Sequence, residues 1–137
     1  MVFDGRNRLE VLERGEALRL LGRASVGRVG FVTDGEPLVL PVNYAVDRES
    51  IVFRTAAGSK LDVAMSGAVV AFEVDETDER RHAGWSVVVR GPARLVTDPI
   101  ERAAAERLPL RPWSHAPKPH YVRVEARTIS GRRLPAG

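Results

Sequence analysis

The stretch Ile51-Val52-Phe53-Arg54-Thr55-Ala56-Ala57-Gly58-Ser59-Lys60-Leu61 gathers residue types that hold anions. An apolar run delivers an arginine and a hydroxyl, a glycine lets the backbone approach closely, and a helix then opens at Ser59 with Lys60 in its first turn. Free N–H groups at a helix start favour phosphate. Arg54 adds a planar fork that can grip two oxygens, and Lys60 adds a point charge. A second reading stands beside the first: Ser59 with Asp62 three residues later is also a capping box, which needs no ligand. Of the 21 basic residues only Lys60 and Lys118 are lysines, so the place of each is informative.

Two further segments are informative. In Leu40-Pro41-Val42-Asn43-Tyr44, a proline removes a ladder hydrogen bond and an asparagine forms strands poorly. A planar polar ligand lying against this strand explains both, and so does a plain edge or bulge. In Gly84-Trp85-Ser86-Val87-Val88-Val89-Arg90-Gly91, Trp85 shares a face with Val87 and Val89 and reads as packing, whereas Ser86 and Arg90 point the other way. Trp113 sits in a proline-rich stretch and is harder to place in a core; an exposed tryptophan commonly marks an interface or a ring-stacking contact.

Other chemistries find little support. The three histidines, His82, His115 and His120, lie away from any Gly-x-Ser-x-Gly elbow. There is no His-x-x-x-His or His-Glu-x-x-His spacing, and the carboxylates Glu73, Asp75, Glu76, Asp78 and Glu79 lack the glycine and closing glutamate of a calcium loop. No cysteine is present, which removes thiol catalysis, Cys-ligated metals and disulfides. The formal net charge is +3, and no stretch interleaves several basic and aromatic residues, so neither a nucleic-acid footprint nor a membrane partner is expected. The longest apolar run, residues 68–72, is far shorter than a membrane span, and the first residues show no basic-then-apolar leader. A cytoplasmic protein is expected.

The elements that must position these residues can be read from periodicity. With 137 residues, 44% apolar and 28% charged, one domain spanning residues 1–137 is expected. Residues 14–21 place Ala17, Leu18 and Leu21 at helical spacing. Residues 25–33 alternate with Val29 and Phe31 on one face, Asp34-Gly35 signals a hairpin turn, and residues 38–46 and 51–55 continue the meander. Residues 59–66 form a short helix. Residues 68–75 form a strand with Val70, Phe72 and Val74 on one face, followed by a polar loop over 76–83. A long strand over 84–97 bends at Gly91-Pro92, and a helix begins at Asp98-Pro99 with Ile100, Ala103, Ala104 and Leu108 on its buried side. A proline-rich loop over 108–119 leads to a last strand over 120–129. Six strands joined mostly by turns, with about three short helices, predict a mainly β, antiparallel, six-stranded split barrel of Greek-key type.

In their order along the chain these segments resemble the pyridoxamine 5'-phosphate oxidase-like, FMN-binding split-barrel superfamily. The resemblance rests on Pro41-Val42-Asn43-Tyr44, then Val52-Phe53-Arg54-Thr55 running into Gly58-Ser59-Lys60, then Val70-Ala71-Phe72-Glu73-Val74, then Trp85-Ser86-Val87 leading to Gly91-Pro92-Ala93, and spans residues 14–134. It implies a homodimer with FMN in clefts between subunits, acting as an oxidoreductase on a small molecule. Cofactor contacts carried over are Pro41, Val42 and Asn43 along the ring, Phe53, Arg54 and Thr55 beside the phosphate, ribityl chain or ring edge, Ser59 and Lys60 at the phosphate, Trp85 and Ser86 from the later strand, and Trp113 from the partner. The chain departs from true pyridoxamine phosphate oxidases in having Ser59-Lys60 where they carry two basic residues, and in lacking their Trp and Arg-His substrate segment after Gly131-Arg132-Arg133. The resemblance therefore implies the fold and cofactor rather than that oxidation. Three readings stay open beside it: a deazaflavin-coenzyme-dependent reductase whose basic end from Lys118 to Arg133 lines the coenzyme tail, a flavin-binding module without turnover, and an unrelated barrel serving as an interaction domain.

Overall fold

In a computed structural model, residues 9–110 and 113–136 are described. The elements run β1 (Glu10–Val11), α1 (Arg14–Leu21), β2 (Val26–Thr33), β3 (Glu36–Asp47), β4 (Ser50–Thr55), α2 (Lys60–Ala64), β5 (Val69–Asp78), β6 (Ala83–Leu95), α3 (Pro99–Glu106), β7 (His120–Glu125) and β8 (Thr128–Leu134). All pairings are antiparallel. The order β6-β5-β2-β3-β4-β7 closes on itself through β6–β7, giving a six-stranded barrel, with β8 and then β1 added outside the closure on β6.

The alternation read from the sequence sets the core. Val29, Phe31, Phe53, Phe72, Val74, Trp85, Val87 and Val89 fill the interior with Leu20 and Leu21 of α1 against them. The Asp34-Gly35 hairpin has both residues at positive φ, which matches the twist of its flanking strands. Tyr44 stands edge-on to Phe72, and its hydroxyl donates to the Leu21 carbonyl, so α1 is fastened to the barrel by a buried polar contact.

Four expectations need correction. The loop expected over 76–83 shrinks to the turn at 79–82: the β5–β6 ladder continues to Asp78↔Ala83, because backbone pairing persists after the apolar alternation has stopped. The last strand breaks at Ala126-Arg127 into β7 and β8, since its two halves pair with different strands or different parts of one strand. The α2 helix covers five residues rather than eight. In α3, Ile100 is 82% exposed and only Ala105 is buried; the side turned to the barrel is partly charged. There Glu101 pairs with Arg94 at 2.7 Å and with Arg123 at 3.4 Å, and Arg102 lies over the Tyr121 ring.

The outward face of the β3-β2-β5-β6 sheet is unusual in composition. Register puts Pro37, Val39 and Pro41 beside Val32, Gly30 and Arg28, then Val69, Ala71 and Glu73, and Val32, Val39 and Val69 are each more than half exposed. At its edge, Arg28 lies 3.7 Å from Glu73 and 3.8 Å from Asp75, while Glu73 Oε1 is buried without a hydrogen bond. Burial first, and then the neighbouring Asp75 carboxyl, push Glu73 up to about 7 against the pull of Arg28. Folding thus favours the protonated acid, and stability falls as pH rises from the ordinary glutamate range through about 7. Glu73→Gln is accordingly expected to raise Tm at pH 8 by roughly 3 °C, on the order of 1 kcal/mol, and to leave it unchanged near pH 4. Thermal unfolding at the two pH values measures the difference; an equal effect at both contradicts the assignment.

Candidate functional site

The β3–β4 ladder starts at Asp47↔Ser50 and stops at Tyr44↔Phe53. Beyond that point the strands separate: Leu40, Pro41, Val42 and Asn43 stay with β2, whereas Arg54 and Thr55 remain with β7. Tyr44 N donates to Ser25 O, so alternate amides of β3 face β2 and the positions of Pro41 and Asn43 face the opening. Proline lacks only an N–H that has no ladder partner there. The opening is a cavity of about 350 Å³ lined by Leu40, Pro41, Val42 and Asn43 on one wall and by Arg54, Thr55, Ala56, Ser59, Lys60 and Leu61 on the other, with Ser114 and Lys118 closing it.

Arg54, Ser59 and Asp62 at the basic end are each held by neighbours. Arg54 donates through Nε to the Lys118 carbonyl at 2.8 Å, and its guanidinium lies 5.1 Å from the centre of the Tyr121 ring. The ring contact and the Nε hydrogen bond together hold the guanidinium on the cavity wall, where it can meet an anion. Ser59 caps α2 by accepting from Asp62 N at 3.1 Å, which leaves its hydroxyl proton to donate. The capping box does not close, because the Asp62 carboxylate turns away from Ser59. It accepts instead from the Thr55 hydroxyl at 2.6 Å and Gly58 N at 2.9 Å, and lies 2.7 Å from His120 Nδ1. Gly58 has φ +73°, a conformation that suits glycine at this turn.

Asp62 is 6% exposed. Burial alone would raise its pKa, but the hydrogen bonds from Thr55, His120 and Gly58 together outweigh burial and hold it below the usual carboxylate range. Three cationic side chains, Arg54, Lys60 and Lys118, thus line a cavity whose floor rests on an ionised, fully bonded carboxylate. With an apolar strand edge opposite, this arrangement suits an elongated ligand that is planar at one end and anionic at the other.

The expected site residues divide by place. Pro41, Val42, Asn43, Arg54, Thr55, Ser59 and Lys60 all line this cavity, although the Thr55 hydroxyl is committed to Asp62. Phe53 does not line it; it is wholly buried in the barrel core. Trp85 packs inside the barrel at 6% exposure and borders a separate hollow of about 280 Å³ with Arg23, Glu76 and Arg133. Ser86 pairs with Asp75 and Arg132 in the sheet, away from the cavity. Trp113 is 74% exposed, and its backbone N–H donates to Asn43 Oδ1 at 2.8 Å, so the cavity's asparagine anchors the loop that carries it. Asp62, His120, Lys118 and Leu40 were not among the expected contacts. Lys118 carried a signal, being one of two lysines, but the Asp62–His120 contact joins residues 58 positions apart and leaves no local trace.

Comparison with known proteins settles the family. The model of the pyridoxamine 5'-phosphate oxidase family matches residues 13–133. The chain belongs to this family. It is 40% identical over 130 residues to the uncharacterized protein Rv0080 of Mycobacterium tuberculosis, covering 91% of this chain and 85% of that protein. Among solved structures, the FAD-binding protein of Mycobacterium smegmatis superposes with a TM-score of 0.79 at 38% identity, covering 90% of this chain and 97% of that one. A FAD-binding protein of Mesorhizobium loti superposes with a TM-score of 0.76 at 25% identity, covering 91% and 96%. The split barrel expected from the order of motifs is thus the fold of the family. No helix among the described residues is long and apolar enough to cross a membrane.

Proposed function

We propose that this member of the pyridoxamine 5'-phosphate oxidase family binds a flavin nucleotide in the cavity between β3 and β4. The observation that carries the reading is the convergence there of Arg54, Ser59, Lys60 and Lys118 opposite the opened edge of β3. The residues fit the group: three cations and a hydroxyl donor meet a phosphate, and the apolar wall of Leu40, Pro41 and Val42 meets a ring system. That two solved relatives are FAD-binding proteins supports the reading. FMN and FAD share the ring, ribityl chain and first phosphate that these residues would hold.

A bound flavin supplies hydride and electron transfer, and the chain supplies orientation and electrostatics. Arg54, pinned by Lys118 and Tyr121, orients the phosphate. Ser59 donates to it, and Lys60 and Lys118 neutralise its charge. The Asn43 N–H, turned to the opening, is placed to donate to the polar edge of the ring, where it would favour a reduced, negatively charged form. The reaction class is oxidoreduction of a small molecule.

The working unit is a homodimer. Its support is the exposed apolar face around Val32, Val39 and Val69, rimmed by Arg28 of one sign and Glu73 and Asp75 of the other, a pattern that can meet a second copy of itself. In such a dimer the loop bearing Trp113 gains cover, and Ser86 joins a cavity from the second copy. Sedimentation velocity should give about twice the chain mass. Anaerobic mixing of the flavin-loaded protein with a nicotinamide donor should bleach the flavin's visible absorbance. A loaded protein that no donor bleaches would be a binding module instead, and one that sediments at the monomer mass removes the shared cavity.

A further inference from the structure

The carboxylate beneath the basic end of the cavity poses a problem of charge. An anion resting against Ser59 and Lys60 lies close to Asp62, whose carboxylate is buried and ionised. What can offset that negative charge is the partner on its other side: His120 Nδ1, 2.7 Å from Oδ1, on an imidazole ring that is 40% exposed. We infer that Asp62 and His120 form a positioning pair for the anion end of the cavity, in which protonation of His120 cancels the Asp62 charge and strengthens anion binding.

The charged and titratable groups around the pair come from several elements. From β4, Thr55 donates to Asp62, and Arg54 lies on the wall of the adjoining cavity. From α2 comes Lys60, and from the segment before β7 comes Lys118. Tyr121 follows His120 in β7 and carries the guanidiniums of Arg54 and Arg102 over its ring. Arg102 of α3 donates to the Pro119 carbonyl at 2.8 Å and lies 3.3 Å from Glu106. Hydrogen bonds hold Asp62 below the usual carboxylate range, and histidine is the side-chain type whose ordinary charge change falls near neutral pH. By linkage, proton uptake at His120 and anion uptake in the cavity promote each other by the same factor.

The pair also positions. Asp62 ties the end of β4 through Thr55, the turn through Gly58 and the start of β7 through His120, so the four residues hold Arg54 and Ser59 in register. Loss of this structural role alone would weaken binding equally at every pH. Loss of the charge-balancing role removes the pH dependence itself.

The inference shares its ligand with the flavin reading, so the test uses two probes. FAD and sulfate both keep a constant charge from pH 5.5 to pH 8.5, which leaves the protein as the source of any change. FAD binding is followed by flavin fluorescence, and sulfate binding by amide chemical shifts. Wild-type protein is expected to bind each probe about tenfold more tightly at pH 5.5 than at pH 8.5. In His120→Asn the ratio is expected to fall to about one, while His115→Asn, altered on the exposed loop, keeps the wild-type ratio. An undiminished ratio in His120→Asn, or no pH dependence in wild type, overturns the inference and leaves flavin binding intact. Sulfate binding with the His120-dependent ratio but no FAD binding would sustain the pair and overturn the flavin reading.

Discussion

Replacing Arg54 and Lys60 together by alanine is expected to weaken binding of FMN or FAD by at least 100-fold while riboflavin, which lacks the phosphate, loses little. Each charge-assisted contact to phosphate contributes about 1.5–3 kcal/mol, and two such contacts combine to more than the roughly 2.8 kcal/mol that 100-fold requires. The two residues should differ in their effect on the apoprotein. Lys60 is exposed at the start of α2, so Lys60→Ala alone should weaken FMN binding with little change in Tm. Arg54 also stacks on Tyr121 and holds the Lys118 carbonyl, so Arg54→Ala should lower Tm by a few degrees as well. Flavin fluorescence titrations with riboflavin and FMN separate the phosphate contribution from the ring contribution. Equal losses for both ligands would move the phosphate to another part of the chain.

Gly91→Ala is expected to be the most damaging single substitution in the barrel. An added Cβ would sit 1.7 Å from the Glu125 carbonyl oxygen and 2.9 Å from its carbon. Those are backbone atoms at the end of β7, where β6 passes from its pairing with β8 to its pairing with β7. No side-chain rotation relieves the clash, so either β7 moves out or the barrel closure opens. Overpacking of this kind costs about 3 kcal/mol or more, a loss in Tm on the order of 10 °C. Gly30→Ala supplies the contrast: its Cβ would meet nothing closer than 3.8 Å, and its Tm should stay within about 2 °C of wild type. Similar Tm values for the two variants would mean that β6 and β7 do not approach as described.

Much of the barrel was legible because its signals are local. Alternating Val29 and Phe31, then Val70, Phe72 and Val74, then Trp85, Val87 and Val89, each mark a strand with one buried face, and all are core residues. Asp34-Gly35 marks its own turn, and Gly91-Pro92 marks the crossing point of β6. Where the reading failed, the deciding forces were long-range. Periodicity predicts Ile100 on the buried side of α3, yet the surface that α3 meets presents Arg94 and Arg123, and Glu101 turns toward them instead. The break at Ala126-Arg127 has no glycine or proline to announce it; it follows from the switch of pairing partners between β7 and β8.

The site shows the same division. The residues that line the cavity on β3 and β4 could be listed because strand-breaking types and anion-binding types occur in short runs. Phe53 belongs to the Val52-Phe53-Arg54-Thr55 motif that carries the resemblance, yet its side chain is wholly buried in the barrel core. Ser59 and Asp62 read either as the start of an anion site or as a capping box, because His120, which joins Asp62, lies on a strand that reaches β4 only after the chain has gone round the barrel.

Absorbance of the purified protein before and during titration with FMN, FAD and the deazaflavin coenzyme tests the central claim most directly. The account predicts a two-band flavin spectrum, or saturable binding of FMN or FAD that Arg54→Ala and Lys60→Ala both weaken. Protein that is colourless and unresponsive to all three would contradict it, and the Ser59 turn would then be a helix cap alone.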